Sequence, residues 1–331
     1  MHAAAKQPKP NGSSKSLWSF VPLTDYELPG MQGITAAKER WGRLKSIFRR
    51  QTDQEKAPVM PEASLNVLPP SVLSQLAPAL PWSAALPALE NCLAGWPEGP
   101  KICFFVAQHQ TGMDTMLQEW AKQKQATIIS SPSCEQILHN PQGWLNQWPK
   151  QAKHWVLPHL EYCYYRHAQG FTLLRQILDN ACSGNLGQGI IVCHSWAWAF
   201  IRHLWPGLKQ EHSYTLQSFS GHSLAHLLNQ CVSPPEHTPI RFCQAKTGQE
   251  ILRLPLPDTE AAEVSDEMQK LAAHYRGNVA LAWQAWERRL RSAPEKEGIS
   301  AADNEQSSIW ISGDFQEPKL PESDAEVTAL L

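Results

Sequence analysis

The stretch Lys101–Ala121, KICFFVAQHQTGMDTMLQEWA, decides the fold. KICFFVA is a continuous apolar run of strand length, as expected for a strand buried on both faces. QHQTG interrupts it with polar residues and a glycine, and MDTMLQEWA then places apolar residues at helical spacing. A strand that turns tightly into a helix leaves the backbone N–H groups of the first helical turn facing the loop, where they suit an anion.

The same alternation continues outward from this stretch. ATIISSP (126–132), HWVLPHLE (154–161), GIIVCHS (189–195) and TLQSF (215–219) read as further strands. Helical patterns stand between them at 134–147, 167–182 and 196–205, with one more at 221–231. Apolar strands alternating with amphipathic helices predict a three-layer α/β domain on a parallel sheet over residues 101–232, with the loop after its first strand at the C-terminal edge. A hairpin (RFCQA, EILRLPL) and two helices (260–275 and 279–291) follow, giving a 233–291 segment that reads as a helical lid.

The flanks differ in composition. Residues 1–58 carry ten Lys/Arg against five Asp/Glu; residues 292–331 carry two against nine. The first 17 residues read as disordered, and residues 34–50 (ITAAKERWGRLKSIFRR) form a basic amphipathic helix suited to a membrane surface, a partner or its own domain. Residues 59–100 are rich in proline and read as a linker with short turns of helix. Residues 292–331 form an acidic tail with one strand candidate, SIWIS (308–312). A formal net charge of −2 gives no global attraction to nucleic acid. The eight cysteines include no C-x-x-C pair, and no stretch has the length of a membrane span or the apolar core of a signal peptide. A cytoplasmic, soluble protein is the expectation.

The loop can be set against the phosphate-binding pattern G-x-x-x-x-G-K-[S/T]. Ala107 takes the first glycine position, Gln108, His109, Gln110 and Thr111 the spacers, and Gly112 the second glycine. Met113 stands in the lysine position and Asp114 in the hydroxyl position, with Thr115 next. Three further features follow in order: WVL ending in Pro158-His159-Leu160-Glu161, CHSWAWAF with His194 and Ser195 at a strand end, and HYRGNVALAW with Arg276 before a helix. Together they resemble a degenerate P-loop NTPase of the AAA+ or STAND type across residues 95–291, about 60% of the chain.

The resemblance implies roles position by position. Residues Ala107 to Thr115 would line an ATP or ADP site. Glu161 would be the water-activating carboxylate, Ser195 the sensor residue and Arg276 a phosphate-facing arginine, with Arg166 a second candidate. Magnesium is poorly provided for, because Pro158 or His159 occupies the Asp position of the second motif. Losing the loop lysine alone removes a charge-assisted contact worth roughly 1.5–3 kcal/mol.

Other chemistries find less support. G-x-S-x-G and G-x-G-x-x-G are absent. His222 and His226 have H-x-x-x-H spacing, but Ser223 replaces the glutamate of the metalloprotease motif, and no metal-ligand set is assigned. Trp196 and Trp198 read as core or interface fillers. The favoured expectation is a regulatory or scaffolding protein with weak or no hydrolysis, acting on unidentified protein partners, with self-association left open. The alternative is an active ATPase using Asp114, Glu161, Ser195 and Arg276; nucleic acid as a partner is disfavoured.

Overall fold

In the computed structural model the described residues are 17–29, 59–94, 102–149, 154–208, 212–232, 239–256, 264–294 and 308–313. The basic helix expected at 34–50 lies outside them. The chain divides into two compact units, one from residues 1–27 and 81–217, the other from 28–80 and 218–331. Among the described residues no helix is long and apolar enough to cross a membrane.

The first unit holds a six-stranded sheet. Its strands are β1 (Phe20–Pro22), β3 (Ile102–Ala107), β4 (Thr127–Ile128), β5 (Trp155–Leu157), β6 (Gly189–His194) and β7 (Ser213–Leu216). The order is β1-β7-β3-β6-β5-β4, parallel throughout except for β1, which pairs antiparallel with β7. Every residue of β3 is buried, so both of its faces are covered.

Among the described residues, six helices surround this sheet: α2 (Leu86–Leu93), α3 (Met113–Lys124), α4 (Cys134–Leu138), α5 (Pro141–Leu145), α6 (Thr172–Cys182) and α7 (Ser195–Leu204). Residues of α4 to α7 share one core cluster with alternate residues of the strands, namely Ile102, Phe104 and Val106 of β3, Trp155 and Leu157 of β5, and Ile191 and Cys193 of β6. Helix α3 instead touches β4, β5 and the 3-10 turn Trp82–Ala85. The crossover rule explains the division. From β3 the chain moves one way along the sheet to β4, whereas β4 to β5 to β6 to β7 runs the other way, so right-handed connections place α3 on the face opposite α4–α7. The expected three layers follow. The reversal falls between β3 and β6, whose ends are in register with Ala107 opposite His194; a crevice at the carboxyl ends of the strands opens at such a point.

The second unit holds a mixed sheet of β2 (Asn66–Val67), β8 (Ile240–Gln244), β9 (Glu250–Leu254), β10 (Leu290–Ser292) and β11 (Ser308–Ile311), in the order β2-β10-β11-β8-β9. The expected hairpin is β8–β9, and the strand candidate in the acidic tail is β11, parallel to β8. Helices α1 (Pro70–Leu76), α8 (Gly221–Cys231), α9 (Asp266–His274) and α10 (Val279–Arg289) complete the unit. A hairpin with helices was the expectation for 233–291; the five-stranded sheet exceeds it because β2 and β11 come from flanking segments that read as linker and tail. Within α10, Arg289 is buried, with Nη2 donating to Glu267 at 2.6 Å and Nε donating to the Ser312 carbonyl at 3.3 Å.

The β5–β6 seam depends on a missing side chain. Gly189 lies in register with Trp155, and a Cβ at Gly189 would stand 2.1 Å from the indole. That indole has no room to retreat: it is fully buried, its Nε1 donates to the Leu186 carbonyl at 2.6 Å, and Trp148 meets it edge-on with ring centroids 4.8 Å apart. Gly189→Ala is therefore expected to cost about 1–3 kcal/mol in urea unfolding. Gly207→Ala, where nothing lies within 4 Å of the new Cβ, should be near neutral.

Candidate functional site

The loop after β3 is held from several sides. Gln108 donates to the Tyr26 hydroxyl at 2.6 Å, and the Thr111 hydroxyl donates to the Gln108 carbonyl at 3.1 Å. Gln110 and Gly112 both have positive φ, 58° and 77°. Gly112 precedes α3 and packs so closely on Trp82 that a Cβ would lie 2.2 Å from the ring. Ala107 and Met113 are buried; His109, Gln110, Asp114 and Thr115 are exposed. The residue in the lysine position therefore belongs to the core beneath α3, while Asp114 in the hydroxyl position faces solvent in the first helical turn.

Glu161 is the buried residue of this edge. It sits in a 3-10 turn, Leu160–Tyr162, just past β5, and its side chain is 1% exposed. A carboxylate so placed requires partners, and it has three. Its Oε2 accepts the His194 backbone N–H at 3.2 Å. Its Oε1 lies 3.1 Å from His159 Nδ1 and 3.1 Å from His194 Nε2. The far side of each ring is also engaged: His159 Nε2 stands 3.7 Å from Asp114 Oδ2, and His194 Nδ1 stands 3.4 Å from His109 Nδ1. The ends of β3, β5 and β6 thus bring His109, Asp114, His159, Glu161 and His194 into one polar cluster.

Among the described residues, His159, Glu161 and His194 are the group of three with donor atoms all within 4.8 Å of one another, close enough for one ion. Glu161 and the loop were singled out from sequence. The two imidazoles flanking Glu161 were not joined to it, although His159-Leu160-Glu161 holds two donors two residues apart and His194 ends a strand. Only the adjacency of β5 and β6 joins them.

The remaining candidates are placed as follows. Ser195 is exposed at the start of α7. Arg166 lies over the Phe200 ring, 4.8 Å from its centroid. Trp198 is buried against Phe104, as a core filler should be, whereas Trp196 is 54% exposed beside His194. Arg276 belongs to the second unit, just past α9, with φ of 51° and Gly277 after it at 73°. His222 and His226 are exposed on α8. Cys163 and Cys193 are buried, and burial together with the Glu161 charge pushes both thiols up. Their Sγ–H groups donate to the His159 and His194 carbonyls at 3.6 and 3.5 Å, and a thiol so buried is a poor source of thiolate.

No protein-family model matches the sequence, and no curated protein matches it.

The hydrogen bond that His159 donates to the Glu161 carboxylate raises the imidazole above its ordinary value, opposed by partial burial and assisted by Asp114. For a group raised on folding, the stabilisation is fully present below the unfolded value near 6.5 and fades as pH rises through the folded one. In metal-free protein, the unfolding free-energy difference between wild type and Glu161→Gln should therefore be larger at pH 6 than at pH 8.5. NMR titration of His159 should show its midpoint falling in that variant.

Proposed function

We propose that this protein is a regulatory or scaffolding protein built on a degenerate AAA+/STAND-like nucleotide-binding domain that binds nucleotide weakly or not at all, with weak or no hydrolysis. Support comes from the central parallel strand, the loop-to-helix turn at its carboxyl end and the sheet's switch point between β3 and β6, the place where an α/β domain of this kind would hold a phosphate. One observation carries the loss of turnover. The lysine position is filled by a buried methionine, and Glu161, the one buried carboxylate at the edge among the described residues, is already held by two imidazoles and a backbone N–H. A carboxylate engaged in this way is not free to take a proton from an attacking water.

Calorimetry of the full chain with ATP and ADP, with and without magnesium, tests the reading alongside a phosphate-release assay. Affinity no tighter than millimolar and no release above the protein-free rate are expected. Micromolar binding that weakens in Arg276→Ala, with turnover lost in Glu161→Gln, would instead establish an active ATPase.

A further inference from the structure

We propose that His159, Glu161 and His194 form a site for a single transition-metal ion of the zinc class, occupied without any nucleotide. The first ground is donor type. Two imidazole nitrogens and one carboxylate oxygen suit zinc and its first-row neighbours, whereas magnesium and calcium favour all-oxygen sets.

Geometry is the second ground. Ligands about 2.0–2.1 Å from a tetrahedral ion stand roughly 3.4 Å from one another. Here Glu161 Oε1 is 3.1 Å from each facing nitrogen, and the full set lies within 4.8 Å. Entry of an ion asks each ring to give up the hydrogen bond that it directs at Oε1, to open by a few tenths of an ångström from that oxygen, and to bring its nitrogen to about 3.4 Å from that of the other ring, which lies within 4.8 Å of it.

The third ground is the support behind each ligand. A ligating histidine usually directs its other ring nitrogen at a polar partner that fixes tautomer and orientation. His159 directs Nε2 towards Asp114, and His194 directs Nδ1 towards His109. Glu161 is tethered through Oε2 by the His194 N–H, which leaves Oε1 for the ion. The side chains of His159 and His194 are 23% and 17% exposed, so the site is open on one side and keeps a position for water or an exogenous ligand. Two histidines and a glutamate with one open position is a donor set able to activate bound water.

The inference goes beyond the proposed function, because it requires no phosphate and survives whether or not ATP binds. Its test uses the full chain after EDTA treatment and dialysis, titrated by calorimetry with Zn2+ and separately with Mg2+, and with Co2+ followed by its visible absorption. One Zn2+ per chain at micromolar affinity or tighter is expected, with Mg2+ much weaker. Affinity should fall at least about 100-fold in His159→Ala and His194→Ala. Because those positions are partly buried and a variant could misfold, Asp114→Asn and His109→Ala at exposed positions give a second readout, with an expected loss of about 10-fold each. His222→Ala/His226→Ala should change nothing. Absence of stoichiometric Zn2+ binding would overturn the proposal. So would affinity unchanged across the site variants, loss of binding in the His222/His226 variant alone, or Mg2+ binding as tight as Zn2+.

Discussion

A buried carboxylate sets the terms for the sheet's carboxyl edge. With its side chain 1% exposed, Glu161 cannot rely on water, and an unpartnered charge there would cost several kcal/mol. Its partners come from two neighbouring strands: His159 from its own segment after β5, and both the ring and the backbone N–H of His194 from the end of β6. The cluster therefore exists only while β5 and β6 hold their register. That register rests on the apolar seam below, where Trp155 lies against a glycine and Leu157 lies opposite Ile191. Packing places the strands, and the strand ends then place the chemistry.

The same edge accounts for the contrast between a familiar outline and altered contents. A loop with two positive-φ residues, braced by Tyr26 and Trp82, retains the shape that brings backbone N–H groups to a helix N-terminus. The side chains at the helix start do not suit a triphosphate: Met113 is buried in the core, and Asp114 adds negative charge beside His159. What remains is rich in imidazole and carboxylate, a composition better matched to a metal cation than to a polyphosphate.

Much of the first unit was legible in the sequence because its inner strands β3, β5 and β6 are buried on both faces and read as unbroken apolar runs, with β3 and β6 the clearest. The loop and Glu161 could be found from local pattern. The pairing of Glu161 with His194 could not, since 33 residues separate them and only strand order brings them together. The second sheet was hidden for a similar reason. β2 has two residues, and β11 pairs parallel with β8 across more than 60 residues of chain, so neither carries the alternation that marks a hairpin. Trp196 is no core filler, since it is 54% exposed beside His194; composition alone does not separate such a tryptophan from a buried one like Trp198.

The central claim is that this edge is a histidine–carboxylate cluster with an affinity for metal and not for nucleotide. It is tested most directly by following the His159 and His194 ring resonances by NMR while adding Zn2+ and, in a separate sample, magnesium ATP. Saturable shifts of both rings at one equivalent of Zn2+, with no change under magnesium ATP, are predicted. Rings that move with ATP and ignore Zn2+ would contradict the claim.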